Sequence, residues 1–127
     1  MRNFVRAGVV AVLTFLSYSA QAADLSGTWT ASFDTQVGKQ VYTFVFQVQG
    51  ETLTGTAKST VADVATDERS IDNGKVAGNT VSFAETLNFG GMPLTITYMG
   101  EVTGDDTINF KRDIMGFTEE FVAQRQK

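Results

Sequence analysis

The stretch that decides the fold runs Val41-Tyr42-Thr43-Phe44-Val45-Phe46-Gln47-Val48-Gln49-Gly50-Glu51-Thr52-Leu53-Thr54-Gly55-Thr56-Ala57. Tyr42, Phe44, Phe46 and Val48 alternate with Val41, Thr43, Val45 and Gln47. That is the period of two that sends successive side chains to opposite faces of a strand. Gly50-Glu51 suits a two-residue type II′ turn, and beyond it Leu53, Gly55 and Ala57 keep the phase. The turn sets Val48 opposite Leu53 and Phe46 opposite Gly55, an aromatic ring over bare backbone. A hairpin with one apolar face is thereby specified.

The same period extends in both directions. Upstream, Leu25, Gly27, Trp29, Ala31 and Phe33 share a face. Downstream, a less regular fourth run ends at Ile71 and Val76, which differ in parity; one extra residue within Asp72-Asn73-Gly74 restores the phase, so a bulge is predicted there. Gly78-Asn79 as a second two-residue turn sets Val76 opposite Val81 and Phe83 opposite Gly74. The fifth run carries Val81, Phe83, Leu87 and Phe89, and the sixth Leu94, Ile96, Tyr98 and Val102. The seventh has Ile108, Phe110 and Ile114, and the eighth Phe117, Phe121 and Ala123. Two-residue turns at Gly90-Gly91 and Met115-Gly116 and a three-residue turn at Gly104-Asp105-Asp106 complete the hairpins. No mature segment keeps a 3.6-residue period. Eight antiparallel strands with one apolar face and no helix to cover it are predicted to close into an all-β up-and-down barrel, which also removes exposed edges. An open two-sheet sandwich is the alternative.

At 127 residues the chain suits one domain. Arg2 and Arg6 flank an n-region, Ala7–Leu16 is apolar, and Ser17-Tyr18-Ser19-Ala20-Gln21-Ala22 puts small residues at the −3 and −1 positions of a cut after Ala22. That is signal-peptide anatomy, and the apolar run falls short of the roughly 20 residues a spanning helix needs. The expected organisation is a signal peptide over 1–22 and one barrel domain over 23–127. Cleavage removes two basic residues and leaves eight against fourteen acidic ones. With no Cys to carry a lipid or a disulfide, the mature chain is expected in the periplasm or secreted, without stable membrane insertion. The absence of His and Cys excludes a Ser-His-Asp or Cys-His nucleophile and an imidazole or thiolate metal site. The acidic balance argues against nucleic acid. No cofactor or metal is expected, since Asp105-Asp106 and Asp72-Asn73-Gly74 lack calcium-loop spacing. Asp67-Glu68-Arg69 reads as a solvated surface cluster.

Gly27-Thr28-Trp29 resembles the Gly-x-Trp of calycin barrels, the group of lipocalins and avidins, and Leu53-Thr54-Gly55-Thr56 resembles the third-strand segment of avidin-type barrels. Together with Ile71, Gly74-Lys75-Val76, Gly78 and the closing Phe121-Val122-Ala123-Gln124-Arg125, the layout is similar to small secreted bacterial barrels. The resemblance implies that Arg125 lies over Trp29 and closes one end. The chain departs from avidins in having a single Trp, hence no multi-Trp cage, and from lipocalins in having no disulfide.

Charges in phase with the apolar face mark the candidate site. Glu85 lies between Phe83 and Leu87, Arg112 between Phe110 and Ile114, and Glu119 between Phe117 and Phe121. The turn registers place Arg112 opposite Glu119 and Tyr98, and Glu85 opposite Ile96. These residues form either a structural buried ion pair or the polar lining of a cavity, since interior charges require partners. Interior candidates for ligand contact are Tyr42, Phe44, Phe46, Phe83, Glu85, Ile96, Tyr98, Phe110, Arg112, Glu119 and Phe121, with Trp29 and Arg125 as structural closure and no catalytic residue assigned. The aromatics either fill the interior or line a pocket, with Gly27, Ala31, Gly55, Ala57 and Gly100 leaving room. Val41, Val45, Met99 and Val122 face outward, too few for more than a monomer or weak homodimer. The leading expectation is a non-enzymatic barrel for a small, partly apolar ligand. The alternatives are a filled module acting through loops Thr35–Gln40 and Thr60–Thr66, and a small barrel enzyme using Glu85, Tyr98 and Arg112. A Glu85/Glu119 pair for glycoside hydrolysis is a further variant of the last.

Overall fold

The computed structural model describes residues 24–127; the expected signal peptide lies outside the described residues. The chain forms β1 (Gly27–Thr35), β2 (Gly38–Gln49), β3 (Thr52–Val61), β4 (Val64–Ala65), β5 (Arg69–Ser70), β6 (Asp72–Ala77), β7 (Thr80–Phe89), β8 (Met92–Gly104), β9 (Thr107–Ile114) and β10 (Phe117–Arg125). All pairings are antiparallel and join sequence neighbours, except that β3 takes β4, β5 and β6 in turn and β10 returns to β1. The result is a closed eight-stave barrel in which β4, β5 and β6 together make the fourth stave. The irregular fourth run is thus three short strands rather than one.

The hairpin registers follow from turn chemistry. Gly50 and Gly78 take positive φ, and Val48 pairs Leu53 and Val76 pairs Val81. Gly90-Gly91 and Met115-Gly116 have positive φ at both central positions, the type I′ signature whose twist matches the flanking strands. Met115 adopts this although it is a poor choice for the left-handed region, and Ile114 pairs Phe117 as the turn requires. The bulge between Asp72 and Lys75 sets both Asn73, at φ 54°, and Gly74 against Phe83, and brings Ile71 and Val76 to one face. The β8–β9 loop is tighter than expected: Gly104 pairs Thr107, and a shift between Val102 and Gly104 preserves the Tyr98–Arg112 register.

The inner face is aromatic. Trp29, Phe44, Phe46, Phe83 and Phe110 are buried, with Phe44 packed 5.5–6.2 Å from the rings of Phe46, Phe83, Tyr98 and Phe110. The small residues do not leave the room expected of them. A Cβ on Gly100 would meet the Phe110 ring at 2.6 Å, and one on Gly55 would meet the Val45 carbonyl oxygen at 1.9 Å. Phe110 and the β2 backbone therefore occupy that space. Val41, Val45, Met99 and Val122 are exposed on the outer face. The Phe89 side chain lies outside what the structure describes.

One end is sealed. The Trp29 indole N–H donates to the Leu25 carbonyl at 2.9 Å, and the Arg125 guanidinium carbon stands 4.6 Å from the centre of the Trp29 ring. Arg125 also donates to the carbonyls of Ser26 at 2.6 Å and Asp24 at 3.1 Å and to Asp106 Oδ1 at 3.2 Å, tying the first strand's lead-in to the last two strands. Backbone pairing of β1 with β10 is short, covering Trp29/Arg125 and Thr30/Gln124 and extended by the Gln126 N–H donating to the Thr28 carbonyl at 2.8 Å. Further along this seam Phe33 and Phe121 stack at 4.5 Å, so side chains complete the closure.

Candidate functional site

At the other end the barrel opens into a cup of about 710 Å³. Its position follows from the strand ends: Asp34–Val37 at the end of β1 and in the turn after it, Gln40 and Tyr42 early in β2, Leu94 and Ile96 early in β8, and Arg112–Glu119 around the β9–β10 turn. The walls are largely apolar, with Val61, Leu87, Leu94, Ile96 and Ile114; Gln40 and Arg112 are the buried polar groups at the floor, and Asp34, Gln36 and Thr118 lie nearer the rim.

That floor belongs to a connected polar chain crossing the barrel. Arg69 donates from Nε to Glu85 Oε1 at 2.7 Å, and the Tyr98 hydroxyl donates to Glu85 Oε2. Arg112 donates to the Tyr98 hydroxyl at 3.1 Å, to Gln40 Oε1 at 2.9 Å and to Glu119 Oε1 at 2.7 Å. Gln40 in turn donates to Thr35 Oγ1 at 3.1 Å. Arg69 is steadied by Thr66 Oγ1 at 2.7 Å, Ser59 Oγ at 3.2 Å and the Asp67 carbonyl. Two guanidiniums face two carboxylates, so the chain carries no net charge. That is the condition under which interior ions are tolerable.

Each member reaches the interior by strand parity. Tyr98 pairs across β7–β8 with Phe83 and across β8–β9 with Arg112, and Arg112 pairs across β9–β10 with Glu119. Glu85 is 0% and Arg112 2% exposed, whereas the Glu119 side chain keeps 25%. The Arg112 guanidinium sits over the rings of Phe33 at 4.7 Å and Tyr42 at 5.3 Å. Burial works against its charge, but the Tyr98 and Tyr42 oxygens and the Glu119 hydrogen bond outweigh it and hold the guanidinium charged. Burial, reinforced by the Glu85 carboxylate, pushes the Tyr98 hydroxyl well above its ordinary pKa, so it remains a donor.

Of the expected interior residues, Tyr42, Ile96, Arg112 and Glu119 line the cup. Glu85 and Tyr98 join them through hydrogen bonds without lining it, and Phe44, Phe46, Phe83, Phe110 and Phe121 are buried in the aromatic core. Asp67-Glu68-Arg69 is not wholly a surface cluster: the Arg69 side chain is 9% exposed and turned inward onto Glu85. Arg69 shares the parity of Ile71, and β5 pairs it with the small Ala57 of β3. Gln40, expected at the end of a contact loop, lies instead in β2 with the parity of Tyr42 and Phe44 and is buried. Phe117, expected on the inner face, is 65% exposed at the rim, where Val37, Val64, Met92 and Met115 are exposed too. No cluster of three or more His, Cys, Asp or Glu suited to a metal occurs among the described residues. Nor is any helix among them long and apolar enough to cross a membrane.

Fold and site together define a closed all-β barrel, sealed at one end and holding a cup with a polar floor at the other; this architecture is compatible with a calycin-like fold. No protein-family model, curated protein or solved structure matches the chain.

Proposed function

We propose that the mature chain is an exported, non-enzymatic binding barrel of calycin type that holds a small, partly apolar molecule in the mouth cup. The observation that carries this reading is the cavity itself: about 710 Å³ with aliphatic walls over a few convergent polar groups, the common make-up of small-molecule sites. Arg112, Gln40, Tyr42 and Glu119 orient the polar end, and Leu87, Leu94, Ile96 and Ile114 receive the apolar part. Binding is favoured over acid–base chemistry because Glu85 and Tyr98 lie beneath the floor, 0% and 2% exposed, out of reach of a bound molecule. Export rests on the Arg2/Arg6, Ala7–Leu16 and Ala20–Ala22 pattern. The Trp29–Arg125 lid supports the calycin assignment.

Native mass spectrometry of protein recovered from its own host, with N-terminal sequencing, tests the proposal. The expected result is a chain starting at Ala23 with a retained small-molecule mass that leaves on denaturation. In parallel, dansylamide fluorescence should rise on titration, and Leu94→Trp, which fills the cup, should weaken that binding at least about tenfold without loss of the circular dichroism of the fold. No retained mass together with no dansylamide binding would refute the proposal. The exposed rim residues Val37, Val64, Met92, Met115 and Phe117 favour a second reading, protein contact through the mouth loops. Under that reading Leu94→Trp leaves partner binding intact and Phe117→Ser abolishes it.

A further inference from the structure

Resting on that reading of the cup, we propose that Glu119 makes it selective for amphiphiles with a cationic, ammonium-type end and excludes anionic ones. Arg112 is the cation at the floor, and its charge is already matched by a carboxylate. Glu119 Oε1 accepts from its Nε at 2.7 Å, while its two terminal nitrogens donate to Tyr98 and Gln40. An arriving carboxylate would have to displace Glu119 or lie beside it, and like charges at such range repel strongly. Below the floor, Arg69 and Glu85 cancel each other at 2.7 Å.

Two oxygens remain available to a ligand: Glu119 Oε2, which only accepts and carries negative charge, and the Tyr42 hydroxyl, which can accept or donate. Glu119 is 25% exposed on its side chain, and its Oε2 has no hydrogen-bond partner among the described residues. The Tyr42 side chain lines the cup at 1% exposure, and its hydroxyl likewise has no partner among the described residues. Such a buried hydroxyl costs free energy until something in the cavity bonds to it. Asp34 stands at the rim of the same cavity. Around the mouth, Asp34, Asp63, Asp67, Glu68 and Asp113 outnumber Lys39, so the field over the opening is negative. A cleft with low-dielectric walls focuses such a field and raises the local concentration of cations. An ammonium group reaching Glu119 Oε2 and Tyr42 Oη, with its apolar part against Leu87, Leu94 and Ile114, gives both oxygens a donor.

Three probes sharing one fluorophore test this on the purified protein at pH 7 and low salt: dansylcadaverine (cationic), dansylamide (neutral) and dansylglycine (anionic). The expected order of affinity is cadaverine, amide, glycine, with about tenfold or more between the first and last, and the gap should narrow as NaCl is raised. Glu119→Gln leaves Arg112 uncompensated and should shift the glycine-to-cadaverine affinity ratio at least about tenfold toward the anion. Ranking and salt dependence are read on the unmodified protein and do not require the variant to fold. Dansylglycine binding as tightly as dansylcadaverine, with dansylamide also bound, would overturn the selectivity and leave the binding cup standing. Failure of all three to bind would overturn the selectivity, and together with no retained mass from the host protein it would overturn the binding cup as well.

Discussion

Replacing Glu85 by Leu isolates the energetics of the polar chain. Glu85 is 0% exposed and is the shared acceptor of Arg69 Nε and the Tyr98 hydroxyl. Leu has a similar volume, so little cavity forms, and the cost is that of leaving Arg69 without its carboxylate at 9% side-chain exposure. Removing one partner of a buried ion pair costs about 3–5 kcal/mol. The lower figure applies here, because Arg69 keeps Thr66, Ser59 and the Asp67 carbonyl, and Tyr98 still accepts from Arg112. For a domain of this size, a loss of about 3 kcal/mol lowers Tm by about 12–24 °C. It leaves most of the chain folded at 25 °C if the total lies within the usual range of about 5–15 kcal/mol. Urea and thermal melts followed by the emission of Trp29, the only Trp and 0% exposed, report the change directly. The double variant Arg69→Met/Glu85→Leu removes both charges and should return to within about 1 kcal/mol of the parent, as apolar replacements of buried pairs commonly do. A single variant within about 1 kcal/mol of the parent, or a double variant no better than the single, would refute the assignment of Glu85 as the partner that Arg69 requires.

Three further outcomes are expected. Because burial and the Glu85 carboxylate raise the Tyr98 pKa above 10.0, the folded state keeps a proton that the unfolded state releases. This contribution to stability is full below pH 10 and is lost as pH rises toward the folded pKa; Tyr98→Phe should remove that alkaline limb in stability measured against pH, and absorbance at 295 nm should show a tyrosine titrating only on unfolding. Arg125→Ala should lower stability by about 1–2 kcal/mol in urea melts, since a cation over an indole is worth about 0.5–2 kcal/mol and the carbonyls of Ser26 and Asp24 lose a donor. Met115→Asn should raise stability by about 1 kcal/mol in thermal melts, because Met115 holds φ 52° at 76% exposure and Asn bears the left-handed region more easily.

How far the sequence discloses this structure depends on which residues are asked. Parity alone orders the inner face along β2, β7, β8 and β9, because a strand with one buried side cannot slip by one residue without turning its core outward. Turns at Gly50, Gly78, Gly90 and Met115-Gly116 then fix which residues oppose each other; the pairing of Glu85 with Ile96 follows from the third and that of Arg112 with Glu119 from the fourth. The fourth stave resists such reading. It pairs β3 through two residues at a time, and no long alternation marks it. Arg69 is hidden there, because a charged residue beside Asp67 and Glu68 looks solvated unless its parity with Ile71 outweighs its composition. Nor does the pattern reveal how deep the packing reaches. Whether an inward Phe lines a cavity or fills one depends on ring orientation across the barrel, as with Phe110 over Gly100.

The division of the interior into a filled half and a cup has a common cause in the polar chain. Aromatic rings pack from the Trp29 lid up to Phe83, Phe110 and Phe121, and at that level Tyr98 stacks on Phe83 at 4.5 Å while its hydroxyl reaches Glu85 and Arg112. Continuing the packing upward would bury Arg112, Gln40 and Glu119 beneath apolar side chains with part of their hydrogen-bonding capacity unmet. Each such unmet group costs about 1–3 kcal/mol. Leaving the space above them open lets water or a ligand meet that capacity, so the cup is the economical termination of a core that ends on charges. An apolar substitution at both Arg112 and Glu119 removes the reason for the opening. Arg112→Met/Glu119→Leu is therefore expected to be no less stable than the parent in urea melts, and to bind dansylcadaverine no more tightly than dansylglycine. Retained preference for the cation in that variant would show that the rim acids, and not the floor, set the selectivity.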